Sequence, residues 1–316
     1  MYPMPDLHEP DHLAVPSVAW SGRVATLDTR HQGVPGVVAV FLVPGSDGRF
    51  TLVEAGPGST AGQVERLLAG AGLQLDGLEA ILVTHVHLDH AGAAGALAAR
   101  SGATVYVHER GARHLADPSR LMASARRVFG ERTDELWGTM TPVPAERIVA
   151  PADGEEVTTS AGVFRAVESP GHARHHLAYL LDDGTLFTGD AAAIRLPHSD
   201  VIAPAMPPPE LDLDAWDATI DRLVDLGPER LFLTHYGAVD APIDHLSRLK
   251  ELHREIAGQA RPLVGAGDQD WVELFDHHLL TRLREAGTDD ELVRRYRAAS
   301  PPDVSAMGLR LYIAPG

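Results

Sequence analysis

Ala80-Ile81-Leu82-Val83-Thr84-His85-Val86-His87-Leu88-Asp89-His90 decides how the rest of this 316-residue chain is read. Ala80 to Val83 is a short apolar run, compatible with a buried strand. Directly after it come four side chains of metal-ligand type within six residues. In extended backbone, residues i and i+2 project to the same side, so His85 and His87 reach one ion together. The chain must then turn, and a helix of small residues is expected from Gly92 to about Arg100. The turn points Asp89 and His90 at a second position nearby. Neutral imidazole and carboxylate suit zinc, and equally iron or manganese.

Three later segments end in the same way. Pro170-Gly171-His172 follows a strand expected over Val163 to Val167. Thr188-Gly189-Asp190 ends one beginning at Thr185, and Leu233-Thr234-His235-Tyr236-Gly237 ends one beginning near Arg230. Each is a strand terminus carrying a ligand-type residue beside a small neighbour, which is how a rigid sheet presents side chains along one edge.

In this order the segments resemble the metallo-β-lactamase-fold hydrolases, with a glyoxalase-II-like ligand set, over roughly residues 20–240. The motif is His-x-His-x-Asp-His, then His, Asp and His. The resemblance implies an αββα sandwich of two mixed β-sheets flanked by helices, with the metals at one edge. It further implies that His85, His87 and His172 hold one ion, that Asp89, His90 and His235 hold the other, and that Asp190 bridges both. Two divalent ions, zinc foremost, would activate water and polarise the bond under attack, and Asp89 would exchange protons with the nucleophile or leaving group.

The family's branches act on different substrates, and the fold does not choose among them. True β-lactamases lack the bridging Asp. Acyl-homoserine lactonases place a Tyr three residues after it, where this chain has Ala193. Flavodiiron members have Glu in place of His87. Glyoxalase-II-like thioesterases share every ligand and carry a helical C-terminal extension, although their glutathione-binding basic residues find no match here. The expected activity is hydrolysis of an ester, thioester or lactone. The alternatives are a mononuclear iron persulfide dioxygenase with the same first motif, or a catalytically silent metal-binding module. In the strand-end motif Val53-Glu54-Ala55-Gly56, Glu54 stands where many members have Asp and is read as an acid that orients a ligand histidine.

Composition narrows the partners. The net charge is −17, which repels phosphate backbones and disfavours nucleic acid, including the RNA-processing branch. A small-molecule substrate is expected. The absence of cysteine removes thiolate ligands and nucleophiles. The first ten residues lack basic and apolar segments, and no apolar stretch is long enough to span a bilayer, so a cytoplasmic protein without a membrane anchor is expected.

Organisation follows from periodicity. Residues 1–20 read as an irregular arm, 21–240 as the catalytic domain with an insertion at about 109–148, and 241–316 as a helical C-terminal extension. The extension is expected to cover the active site or to form a homodimer interface. Asp244 is read as an N-cap for a helix burying Leu246, Leu249, Leu252 and Ile256. Met122, Phe129, Trp137 and Met140 are candidates for an apolar lid. Substrate contacts are assigned to His175, Arg195, His198 and Tyr236. His176, next to His175, reads as a helix-start or surface residue.

Overall fold

A computed structural model describes residues 13–315. Two mixed sheets form the centre. The first runs in chain order through β1 (Val18–Ser21), β2 (Val24–Asp28), β3 (Ala39–Pro44), β4 (Phe50–Val53), β5 (Leu78–Leu82), β6 (Thr104–Tyr106) and β7 (Ile148–Val149). Pairing is antiparallel up to β4 and parallel from β4 to β7. The second sheet holds β8 (Glu156–Thr159), β9 (Gly162–Glu168), β10 (Leu177–Leu181), β11 (Thr185–Gly189), β12 (Arg230–Leu233) and β13 (Gly237–Val239). Only β11 and β12 are parallel within it.

Side-chain alternation separates the layers. Along β3, Ala39, Phe41 and Val43 face the second sheet, whereas Val40 and Leu42 face the outer helices. Between the sheets Phe41 meets Phe187 and Phe232 at ring distances of 5.6 and 5.3 Å. Offset and edge-on aromatic contacts of this kind add stabilisation beyond the area they bury.

The outer face of the first sheet is covered by α1 (Ala61–Gly70) and α3 (Ala94–Ser101), with the short α2 (Leu88–Ala91) between them. Residues 109–148 contribute α4 (Glu109–Ala116), α5 (Ser119–Phe129) and α6 (Thr133–Trp137) to the same side. Met122 and Met140 are buried in that core and Phe129 and Trp137 pack against it, so these four residues belong to the outer apolar layer rather than to a separate lid. The second sheet is covered by α7 (Leu213–Asp225), α8 (Pro242–Ala260), α9 (Asp268–Glu285) and α11 (Pro302–Ile313), while α10 (Asp290–Ala299) packs beside them. The order is therefore helix, sheet, sheet, helix.

Several local expectations change. Val18–Ser21 is a strand, so the irregular arm does not reach residue 20; residues 1–12 lie outside the described residues. Helix α8 starts at Pro242, whose fixed φ suits the first turn, and Asp244 lies inside that turn instead of capping it. Its apolar face is as expected, with Leu246, Leu249, Leu252 and Ile256 buried. Asp212 caps α7 by accepting from the Ala215 N–H at 3.0 Å. Among the described residues no helix is long and apolar enough to cross a membrane.

Candidate metal centre

All seven expected ligands converge at one edge of the two sheets. His85 and His87 follow β5, and His90 lies in the single turn of α2. His172 follows β9, Asp190 follows β11 and His235 follows β12. Strand ends from both sheets thus deliver them to one place, and every one except Asp89 and His87 is almost fully buried.

The spacing of the donor atoms is that of a metal site. His87 Nδ1 stands 2.9 Å from His85 Nε2 and 3.0 Å from His172 Nε2. Asp190 places Oδ2 at 3.2 Å from His172 Nε2 and Oδ1 at 3.4 and 3.5 Å from His90 and His235 Nε2. Asp89 Oδ2 lies 3.3 Å from His235 Nε2. Donors held about 2.0–2.1 Å from a tetrahedral ion sit roughly 3.3–3.4 Å apart, which these distances approach. Three groups meet the requirement: His85, His87 and His172; His85, His90 and Asp190; and Asp89, His90 and His235.

Hydrogen bonds behind the rings fix which nitrogen carries the proton. His90 Nδ1 donates to Glu54 Oε1 at 2.8 Å, His172 Nδ1 to the Ala205 carbonyl at 2.9 Å and His235 Nδ1 to the Val37 carbonyl at 2.7 Å. The Thr84 hydroxyl donates to Glu54 at 2.6 Å, so its oxygen accepts from His85 Nδ1 at 3.1 Å. Each arrangement leaves the Nε2 lone pair facing the centre. Among the described residues, His90 Nε2 and Asp190 Oδ1 are buried there with no hydrogen-bond partner, and orphaned acceptors of this kind call for a cation.

The electrostatics agree. Burial, aided by neighbouring imidazoles, holds His85 and His87 well below the usual histidine range, and burial lowers His172. These rings stay neutral, as ligands must. Burial works the same way on His90 and His235, but Asp190 and Asp89 outweigh it and raise both; Glu54 adds to the effect on His90. Conversely, burial opposes charge on Asp89 and Asp190, yet His90 leads the neighbouring imidazoles that hold both carboxyls below their usual range. The cluster therefore favours positive charge at its centre.

Glu54 is the acid behind the ligands. It is fully buried and accepts from His90, from the Thr84 hydroxyl and backbone N–H, and from the Thr234 hydroxyl at 3.0 Å. One carboxylate thereby ties β4 to the segments carrying His85, His90 and His235. His176 has a larger role than its sequence suggested. It is buried, its Nδ1 donates to Ser169 at 2.7 Å, and its Nε2 accepts the Asp190 backbone N–H at 3.1 Å.

The expected substrate contacts fare unequally. His175 lies against the cluster, with ring distances of 5.7 Å to His87 and 6.0 Å to His85, and burial pulls its pKa down to about 4. Arg195 gives its backbone N–H to the His235 carbonyl but turns its guanidinium to Asp200 at 2.6 Å and to the Ser199 carbonyl. His198 is exposed and contacts the Ala14 carbonyl at 3.2 Å. Arg195 and His198 are thus directed elsewhere, because nearness to Asp190 in sequence does not set where a loop side chain points. Tyr236 is half-buried, and its hydroxyl has no hydrogen-bond partner among the described residues.

Known proteins are similar to this chain in sequence and fold. The model of the metallo-beta-lactamase superfamily matches residues 33–235. The metallo-beta-lactamase fold-containing protein ST1585 of Sulfurisphaera tokodaii is 30% identical over 180 residues, covering 55% of this chain and 67% of its own. The crystal structure of the metallo-beta-lactamase family protein TTHA1429 from Thermus thermophilus superposes with a TM-score of 0.61 at 27% identity, over 83% of this chain and 88% of that one. A hydroxyacylglutathione hydrolase from Shewanella pealeana is 30% identical over 111 residues, only 35% of this chain and 31% of that enzyme. The matched span runs from the loop before β3 to the last ligand, His235, and the chain belongs to the metallo-beta-lactamase superfamily.

Proposed function

We propose that the chain is a metal-dependent hydrolase that holds two divalent ions, zinc foremost, and cuts an ester, thioester or lactone of a small molecule. The observation carrying this reading is the position of Asp190. Its Oδ2 faces His172 of one triad, and its Oδ1 faces His90 and His235 of the other. A carboxylate shared in this way fits a pair of ions. The partial similarity to a hydroxyacylglutathione hydrolase supports carbonyl chemistry.

Divalent ions held by these residues would supply Lewis acidity and a water activated near neutral pH. The chain's own part is positioning and proton handling. His85, His87 and His172 keep neutral lone pairs on one side, while the Asp89 carboxylate and the His90 and His235 rings face the other. The Asp89 side chain is 21% exposed, against 4% for Asp190, so it is the carboxylate that solvent and a leaving group reach. Its Oδ atoms are suited to accept a proton from the nucleophile and pass it on.

The test is elemental analysis of the purified protein beside a panel of chromogenic thioesters, lactones, β-lactams and phosphodiesters. Two zinc-type ions per chain and turnover of a carbonyl ester class are expected. A single iron with oxygen consumption would replace hydrolysis by the dioxygenase reading, and metal binding without turnover of any member would favour the silent module.

A further inference from the structure

Resting on the hydrolase reading, we propose that a cleft beside the second triad binds the part of the substrate that is not cut, and that this part carries a single carboxylate read by Arg30 and Arg66. The cleft has a volume of about 310 Å³ and is lined by Thr29, Arg30, Gln32, Ser59, Arg66 and Glu135, among others. Three elements meet there: the loop after β2, the segment leading into α1, and α6.

The lining is cationic in an acidic protein. Thr29, Ser59 and Thr60 spend their hydroxyls on backbone carbonyls of Val38, Leu136 and Pro57. Charge recognition therefore falls to the arginines. Among the described residues, Arg66 donates only to the neutral Gln63 amide oxygen, at 2.9 and 3.3 Å. Arg30 stands 3.9 Å from Asp28, whose two carboxylate oxygens already accept backbone N–H groups from Arg30 and Gly36. Glu135 is the one acid in the lining and stands 3.5 Å from Arg132. Arg30, Arg66 and Arg132 against Asp28 and Glu135 leave one positive charge over, and guanidinium is suited to hold a carboxylate through paired bonds.

The cleft adjoins the metal cluster through the loop after β2: the Thr29 hydroxyl and N–H both donate to the Val38 carbonyl, and the neighbouring Val37 carbonyl accepts from His235 Nδ1. In the same loop the His31 ring is 6% exposed, stacks on Trp137 at 5.0 Å and 19°, and contacts the Gln32 amide at 3.0 Å. Gln32 lines the cleft, and Glu135 lies two residues before Trp137. The Nδ1 of His31 and the Nε1 of Trp137 are buried without a partner among the described residues, unpaired polar groups directly behind Gln32 and Glu135.

The experiment compares 4-nitrophenyl hemisuccinate with 4-nitrophenyl butyrate, which differ mainly in a terminal carboxylate, on the zinc-loaded full chain. Wild type is expected to favour the hemisuccinate in kcat/KM, mainly through KM. Arg66→Glu should lower that preference roughly threefold to tenfold, and Glu135→Gln should raise it, since each tenfold step is about 1.4 kcal/mol. Metal content measured in parallel separates a subsite effect from loss of the centre. Equal KM values for the two esters, or a preference that neither variant moves, would overturn the proposal. If neither ester is cut, the substrate panel above decides the hydrolase reading and titration with glutarate decides the subsite alone. Glutarate should bind more weakly to Arg66→Glu and more tightly to Glu135→Gln, while acetate, which reaches only the metals, should not change; glutarate affinity indifferent to both variants would sink the subsite.

Discussion

The segment Thr84–His90 and the turn Asp190–Ala192 serve one cluster but are braced in different ways. The first is held from within the sheets: Glu54, at the end of β4, accepts from Thr84 and His90, and Thr234 joins the same carboxylate. The second is held from outside. Trp216 Nε1 on α7 donates to the Ala191 carbonyl at 2.8 Å, His245 Nε2 on α8 donates to the Ala192 carbonyl at 2.8 Å, and His176 accepts the Asp190 N–H. Helix α8, after residue 240, therefore braces the turn that carries Asp190. A contiguous ligand segment follows from a strand, a turn and a helix, whereas Asp190 is in place only when α7 and α8 have docked.

The largest effect is expected where the sheets brace the ligands. Glu54→Ala leaves several buried donors unpaired and should destabilise the protein by about 3–5 kcal/mol. It should also weaken both ions, as read by denaturant unfolding and metal titration. Glu54→Gln keeps the volume and should lie between it and wild type. Full stability in Glu54→Ala would remove the distinction between the two bracing modes.

A smaller and more local effect is expected from the helices. His245→Phe removes the donor to Ala192, and loss of such a supporting bond costs on the order of tenfold to a hundredfold in metal affinity. The loss should fall on both ions, because Asp190 faces both triads, with partial rescue in His245→Asn. Unchanged affinity for either ion would show that α8 does not brace the Asp190 turn.

Acid should expose the same difference in the metal-free protein. Burial pulls His245 down to about 4 in the folded chain. The unfolded chain takes up a proton near pH 6.5 and the folded chain does not, so this stability is present above 6.5 and is lost as pH falls towards 4. The slope is up to about 1.4 kcal/mol per pH unit for each such histidine. Thermal melts of wild type and His245→Phe should converge as pH falls through this window; a constant gap would contradict it.

The smallest effect concerns Arg195. Its exposed pairing with Asp200 is worth roughly 0–1 kcal/mol, so Arg195→Gln should leave metal content unchanged and stability nearly so. A lost ion would return Arg195 to the site.

These contrasts explain what could be read from the chain itself. His85, His87, Asp89 and His90 are legible because strand and turn geometry act over six residues. Glu54, His172, Asp190 and His235 are legible as strand ends. The bracing of Asp190 is not, because Trp216 and His245 reach it from distant helices and their sequence pattern shows only helix periodicity. His176 was hidden for a similar reason, since its two partners, Ser169 and Asp190, meet only when β9 to β11 have paired. Arg195 and His198 misled because they follow Asp190 in a loop whose side chains no periodicity directs. Met122 and Met140 read equally well as lid or core, and the packing of α5 on the first sheet decides for core.

The central claim is that Asp190 serves two ions at once. The direct measurement is metal stoichiometry by mass spectrometry under non-denaturing conditions, with zinc added to wild type and to Asp190→Asn. Two ions per chain in wild type and one at most in the variant is the expected result. A single ion in wild type, or two held as tightly in the variant, would contradict it.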